Sequence, residues 1–187
     1  MAFASTWSAE MLAQPPMIAP ARQFTYPLQV AGEEDALARG ALLLMVKPAV
    51  GETFLATCAL GFTSASMPTG VFACPKPDEM CAVAGGYAYV VDTLAPAGCT
   101  HLSLKPVTEV RVLEAEGLLL FVGFHALIAW GENGLAWQTD RLSWEGLQLG
   151  AIENGLLHGS GWNLMTDKDV GFTVDLQTGK HVGGGYP

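Results

Sequence analysis

Charge is scarce in this chain. Asp, Glu, Lys and Arg make up 14% of its 187 residues, against a usual level of about 25%. Positive charge is scarcest: 9 Lys and Arg stand against 18 Asp and Glu, a formal net charge of −9. No basic cluster exists, which excludes nucleic acid and anionic membrane surfaces as expected partners. No apolar run reaches the roughly 18 residues of a membrane-spanning helix. No Lys or Arg precedes Arg22, so the basic start of a secretory signal is missing and a cytoplasmic location is expected. Cys58, Cys74, Cys81 and Cys99 include no C-x-x-C pair. Their spacing is not that of known zinc modules, and they read as free thiols behaving as small hydrophobes. A Cys74–Cys81 bridge would need an oxidising compartment, for which the sequence gives no support. Gly183-Gly184-Gly185 lacks the Lys-Ser/Thr that would hold phosphates. Asp167-Lys168-Asp169 lacks the glycine and distal glutamate of a calcium loop, and reads as a solvated turn. Neither a cofactor nor a metal is therefore expected.

What the chain does have is apolar content: 50% of its residues are hydrophobic and the mean hydropathy is +0.31, which excludes disorder throughout. The patterning is that of strands. Val107–Leu113 alternates with period two, with Thr108, Val110 and Val112 as its more apolar face. Leu118–Trp130 is near-continuously apolar, too long for one strand, and is expected to split near Gly123-Phe124-His125. Asn133-Gly134 predicts a type I′ hairpin leading into a return strand at Leu135–Thr139, and Asn154-Gly155 predicts a second hairpin, Leu147–Ile152 to Leu156–Trp162. Val170–Leu176 alternates again before a turn at Thr178-Gly179-Lys180. In the first half, Gln23–Val30, Ala41–Val46, Thr53–Leu60, Val71–Cys74 and His101–Leu104 read as strands. Cys81–Ala84 and Tyr87–Asp92 read as a hairpin closed by Gly85-Gly86. The one helical candidate, Glu33–Arg39, has acids in its first turn and Gly40 beyond its last.

These elements predict an all-β fold of antiparallel meanders, arranged as a β-sandwich or as a propeller-like or barrel form, with at most one short helix. Residues 1–21, with Pro15, Pro16 and Pro20, read as an extended arm, solvated or laid across a partner. Residues 22–182 read as one domain of two meander halves, about 22–105 and 106–182, and residues 183–187 as a flexible tail. Gly-Phe recurs at Gly61, Gly123 and Gly171 with unequal spacing, and Gly86-Tyr87 lies 37 residues before Gly123-Phe124. The stretches Gly85–Asp92 and Leu119–His125 look like propeller-blade strands, and Asp175-Leu176-Gln177-Thr178-Gly179-Lys180 resembles the strand-end turn of quinoprotein-like blades. Through Trp137-Gln138-Thr139, Arg141-Leu142-Ser143-Trp144-Glu145-Gly146 and the Asp175–Gly184 segment, the last third resembles small bacterial all-β proteins with blade-like strands. That resemblance implies no activity.

Chemistry concentrates between Trp130 and Trp162. Trp130, Trp137, Trp144 and Trp162 lie here with Glu132, Gln138, Asp140, Arg141, Glu145, Glu153 and His158. On hairpin strands Trp130 and Trp137 would be near cross-strand neighbours. The rings serve either as core with satisfied N–H groups or as an aromatic platform for a sugar or a peptide. Arg141 reads as the centre of a local ion pair with Asp140 and Glu145. His125 reads as a neutral core histidine. Ser160, in Gly-Ser-Gly, is not at a nucleophile elbow. The function expected is a small soluble binding or protein-interaction module with an aromatic-rich face, its partner a protein or a carbohydrate. One alternative is a hydrolase or lyase using His158 with carboxylates near the tryptophans. Another is a structural subunit docking through its Pro-rich arm. The low charge also suggests a homo-oligomer.

Overall fold

The computed structural model describes residues 3–27 and 35–187. Among them the protein is all-β, with no α-helix, and the chain divides into two compact units, one ending at Pro106 and one beginning at Val107. No helix is long and apolar enough to cross a membrane.

The first unit holds two four-stranded sheets. One is ordered β1-β3-β4-β2, from β1 (Ser8–Leu12), β2 (Arg22–Tyr26), β3 (Ala41–Lys47) and β4 (Phe54–Ala59). It is not a meander: β2 runs parallel to β4, while the other pairs are antiparallel. The other sheet is the meander β5 (Gly70–Ala73), β6 (Glu79–Ala84), β7 (Tyr87–Asp92) and β8 (Cys99–His101). In β3, Leu42, Leu44 and Val46 are buried while Ala41, Leu43 and Met45 are only half-buried, the period-two signature of a strand with one core face. Those three residues meet Phe54, Ala56 and Cys58 of β4 and Met80, Ala82, Tyr89 and Val91 of β6 and β7 in one core. The two sheets thus bury their inner faces on each other, as layers must.

The second unit holds two further meanders. One is β9 (Val107–Leu113), β10 (Leu118–Gly123), β11 (Leu127–Gly131) and β12 (Gly134–Gln138). The other is β13 (Leu147–Glu153), β14 (Leu156–Asn163), β15 (Lys168–Asp175) and β16 (His181–Gly183). Leu118, Leu120, Val122, Leu127 and Trp137 pack against Leu142, Leu157, Phe172, Val174 and Leu176. In β9 it is Leu113, on the odd face, that joins this core. Residues of β6, β7, β10 and β11 are buried on both faces, which is why their sequences run continuously apolar instead of alternating. The three meanders begin at Gly70, Val107 and Leu147, intervals of roughly 40 residues, the length of a blade-like unit. Among the described residues no closed barrel is formed.

Several expectations need correction. Part of the residue 1–21 arm is built into the fold: β1 pairs with β3 from Ser8↔Lys47 to Leu12↔Leu43, and the Trp7 indole donates to the Glu79 carbonyl at 3.0 Å. The candidate helix lies partly outside the described residues; from Asp35 onward it is a turn, with Ala38 N–H on Asp35 O and Gly40 N–H on Leu37 O. The strand expected to reach Val30 is described only to Tyr26 and Pro27. At the β11–β12 hairpin only Gly134, at φ 97°, is left-handed, not Asn133. The turn therefore sits at Glu132-Asn133, one residue earlier than expected, with Gly131 opposite Gly134. Asn154 (φ 52°) and Gly155 (φ 77°) do form the expected double left-handed turn. Residues 183–187 are not a loose tail: Gly184 N–H bonds Gly171 O at 3.0 Å and Gly185 N–H bonds Leu142 O at 2.7 Å.

Candidate binding surface on the second unit

The connection from β12 to β13, residues 139–146, carries most of the polar residues singled out in the sequence. Its path is fixed by buried Thr139, Leu142 and Ser143. The Thr139 hydroxyl accepts from Leu127 N–H at 3.0 Å, and Leu142 N–H donates to His125 O at 2.7 Å. The Ser143 hydroxyl accepts from the backbone N–H of Trp162 at 2.8 Å and from that of Glu145 at 3.2 Å. A small buried hydroxyl can satisfy two donors where an apolar side chain would leave both unpaired.

Arg141 closes this loop. Its Nε donates to Ser143 O at 3.0 Å and its Nη2 to Trp144 O at 2.9 Å, with His125 Nδ1 at 3.3 Å. It makes no ion pair with Asp140 or Glu145, both of which are exposed. The expected pairing is replaced by backbone carbonyls because the chain curls round the guanidinium. The guanidinium carbon also lies 5.2 Å from the Trp144 ring centre and 4.7 Å from that of Tyr186, within cation–π range. His125 is exposed, not a core residue, because the chain turns between β10 and β11 there.

The four tryptophans do not share a face. Trp130 and Trp137 are buried at 6% and 7% exposure. Trp130 pairs with Leu135 and Trp137 with Ala129, so the two indoles point to opposite sides of their sheet and do not stack. Trp137 enters the core, where its Nε1 donates to Leu176 O at 2.7 Å. Trp162 is half-buried and donates to Asp167 Oδ1 at 3.1 Å. Trp144 is half-buried beneath Tyr186, ring centres 4.9 Å apart. An open aromatic platform is therefore not what the cluster builds.

What the loop does build is a cleft of about 370 Å³ lined by Gln138, Asp140, Thr178, Gly179, Lys180 and His181. The β15–β16 turn supplies its second wall. That turn is set by Asp175, whose carboxylate accepts from Gln177 N–H and Thr178 N–H, each at 2.9 Å. The Thr178 hydrogen bonds hold the Asp175 carboxyl below its usual range, with Gln177 and the nearby Lys180 charge adding to the effect. The side-chain ends of Gln138, Asp140, Lys180 and His181 make no hydrogen bond within the described residues. The cleft thus presents an amide, a carboxylate, an ammonium and an imidazole together. Gln138 and Asp140 lie in the polar stretch singled out in the sequence; Lys180 and His181 do not, and only the β15–β16 turn brings them beside it.

His158, the histidine of the catalytic alternative, meets no carboxylate among the described residues. His158 Nδ1 faces the Thr173 hydroxyl at 3.1 Å, and His125 faces Arg141. In the first unit, all four cysteines are free. Burial raises each thiol pKa, that of Cys99 to about 12, so none is a thiolate nucleophile at neutral pH. Among the described residues no group of three or more His, Cys, Asp or Glu is arranged to hold a metal. In comparisons with known proteins, no family model matches the chain, and no curated protein matches it significantly.

Proposed function

We propose that the protein is a binding module whose second unit takes a hydroxyl-rich ligand, a carbohydrate, in the cleft between the 139–146 connection and the β15–β16 turn. One observation carries this reading: four different hydrogen-bonding side chains, Gln138, Asp140, Lys180 and His181, converge on one concave surface of about 370 Å³ with their polar ends unengaged. Sugar hydroxyls both donate and accept, and a mixed set of donors and acceptors on a rigid scaffold suits them. The scaffold is rigid because Trp137, packed beneath Gly179, ties the cleft floor to the core. Free thiols suit a reducing compartment, and we place the protein in the cytoplasm. A glycan array probed with the full chain tests the reading. Binding should appear to a defined sugar class and fall at least ~10-fold in Asp140→Ala, the loss of one charge-assisted hydrogen bond. An array with no hits, or hits unaffected by Asp140→Ala, overturns it.

A second reading, assembly through the Pro-rich arm, is favoured by Met17 and Ile18, which are 100% and 89% exposed. Two adjacent apolar side chains held fully in water favour a covering partner. In size-exclusion chromatography with light scattering, the chain should then run above its 19.7 kDa monomer mass, and Met17→Ser with Ile18→Ser should return it to monomer. A wild-type monomer at high concentration counts against this.

A further inference from the structure

We infer that segment Gly183–Tyr186 is a displaceable strap, and that the groove it fills, ending at Arg141 and Trp144, is a recognition site for an aromatic residue carried on an extended, glycine-rich peptide. This site is distinct from the Asp140–Lys180 cleft and does not depend on it.

The groove is shaped for a backbone without side chains. A Cβ on Gly183 would overlap the Gly171 carbonyl, and one on Gly185 would overlap the Gly161 carbonyl and the Trp162 backbone; one on Gly184 would meet the Leu142 carbonyl oxygen at 2.8 Å. These walls are backbone atoms of β14, β15 and the 139–146 connection, so they cannot swing aside as side chains do. Beyond the glycines the groove opens onto a ring-binding end. There Tyr186 lies 4.9 Å from the Trp144 ring at an interplanar angle of 54°, with the Arg141 guanidinium carbon 4.7 Å from the Tyr186 ring centre. Arg141 is already held by Ser143 O and Trp144 O, so the cation is in place before any ring arrives. Preorganisation of this kind is what a binding site has and an incidental contact lacks.

Two features mark the occupant as replaceable. Past β16 the segment is fastened by two backbone hydrogen bonds, from Gly184 and Gly185 N–H, and Tyr186 remains 37% exposed. It also leaves the site incomplete: the Trp144 Nε1–H is buried and has no acceptor. A desolvated donor left unpaired is a deficit that a different peptide, bringing an oxygen to that point, makes good. The strap thus covers the site with a ligand that fits its shape but not its full hydrogen-bonding capacity.

The test adds the peptide Gly-Gly-Gly-Tyr-Pro to the full chain and to its Tyr186→Ala and Tyr186→Leu variants. The readout is the Trp144 indole N–H resonance, assigned by its loss in Trp144→Phe; circular dichroism confirms that each variant keeps the strand spectrum. The expected result is a saturable shift of that resonance in both Tyr186 variants. The wild type should need at least ~10-fold more peptide, because its own strap competes at a high effective concentration. The control peptide Gly-Gly-Gly-Ala-Pro should leave the resonance unmoved. No shift in either variant, equal binding by the wild type, or equal binding of the alanine peptide overturns the inference. The Asp140→Ala chain should bind the tyrosine peptide unchanged, which separates failure of this site from failure of the cleft.

Discussion

Four tryptophans of the second unit carry the same indole into different settings: Trp130 and Trp137 are buried, Trp144 lies under Tyr186, and Trp162 is tied to Asp167. The sequence shows the rings close together but not which way each points, because one residue of register reverses a strand's faces. A hairpin turning at Asn133-Gly134 would place Trp130 opposite Trp137. The observed turn at Glu132-Asn133, with an irregularity between Ala129 and Trp130, sends them to opposite sides. His101 is a comparable case in the first unit. It stacks on Tyr89 at 4.6 Å and against Tyr87 at 5.0 Å, and its Nε2 is buried without a hydrogen-bond partner. Burial, helped by the Lys105 charge, lowers its pKa from 6.5 to about 4. The unfolded chain therefore takes up a proton below about pH 6.5 that the folded chain refuses until about pH 4. Stability from this group is intact above that window, falls across it as pH drops, and levels off below it. Denaturant titrations at pH 7 and pH 4 should show that His101→Phe removes roughly 1–2 kcal/mol of the wild-type loss, with the ring's partial exposure allowed for. An unchanged loss would mean that other groups govern the acid limb.

At the scale of elements, the hairpins were the legible part. Gly85-Gly86 and Asn154-Gly155 fall between the expected strands, because residues tolerating a left-handed backbone leave a local mark; the apolar run also breaks after Gly123, where the β9–β10 register shifts. In the first sheet the β2, β3 and β4 strands were legible but their pairing and the β1 strand were not. Its β2–β4 pairing is parallel and its β1 strand sits at the far edge beside β3; such pairings depend on contacts distant in sequence and leave no periodic trace. The polar cleft was half legible for the same reason: Asp140 stands in the conspicuous segment, while Lys180 and His181 reach it only through the β15–β16 turn. The tie between the two sheets of the second unit rests on Trp137, which enters the shared core and donates to Leu176 O across it. Gly179 packs so closely that a Cβ would meet the indole at 2.8 Å. Trp137→Ala should cost about 3–5 kcal/mol, as removal of a large buried aromatic does, measured by chemical denaturation of the full chain. A loss below about 1 kcal/mol would show that the sheets do not depend on this contact.

Across the whole molecule, each compact unit solves the same problem in the same way: two four-stranded sheets bury their facing apolar sides. Low charge and high apolar content follow from that construction, since strands covered on both faces leave few positions for charged residues. The second unit carries a loop locked by Ser143 and Arg141 that presents unengaged polar groups at a concave surface. The reading of the protein as a binding module rests on that surface. The most direct measurement is a backbone and side-chain amide NMR titration with the sugar selected on the array. The account expects the largest shifts at the Gln138 side-chain amide and at the backbone amides of Asp140, Lys180 and His181, with saturation. Saturable binding whose shifts fall away from these four residues would contradict it.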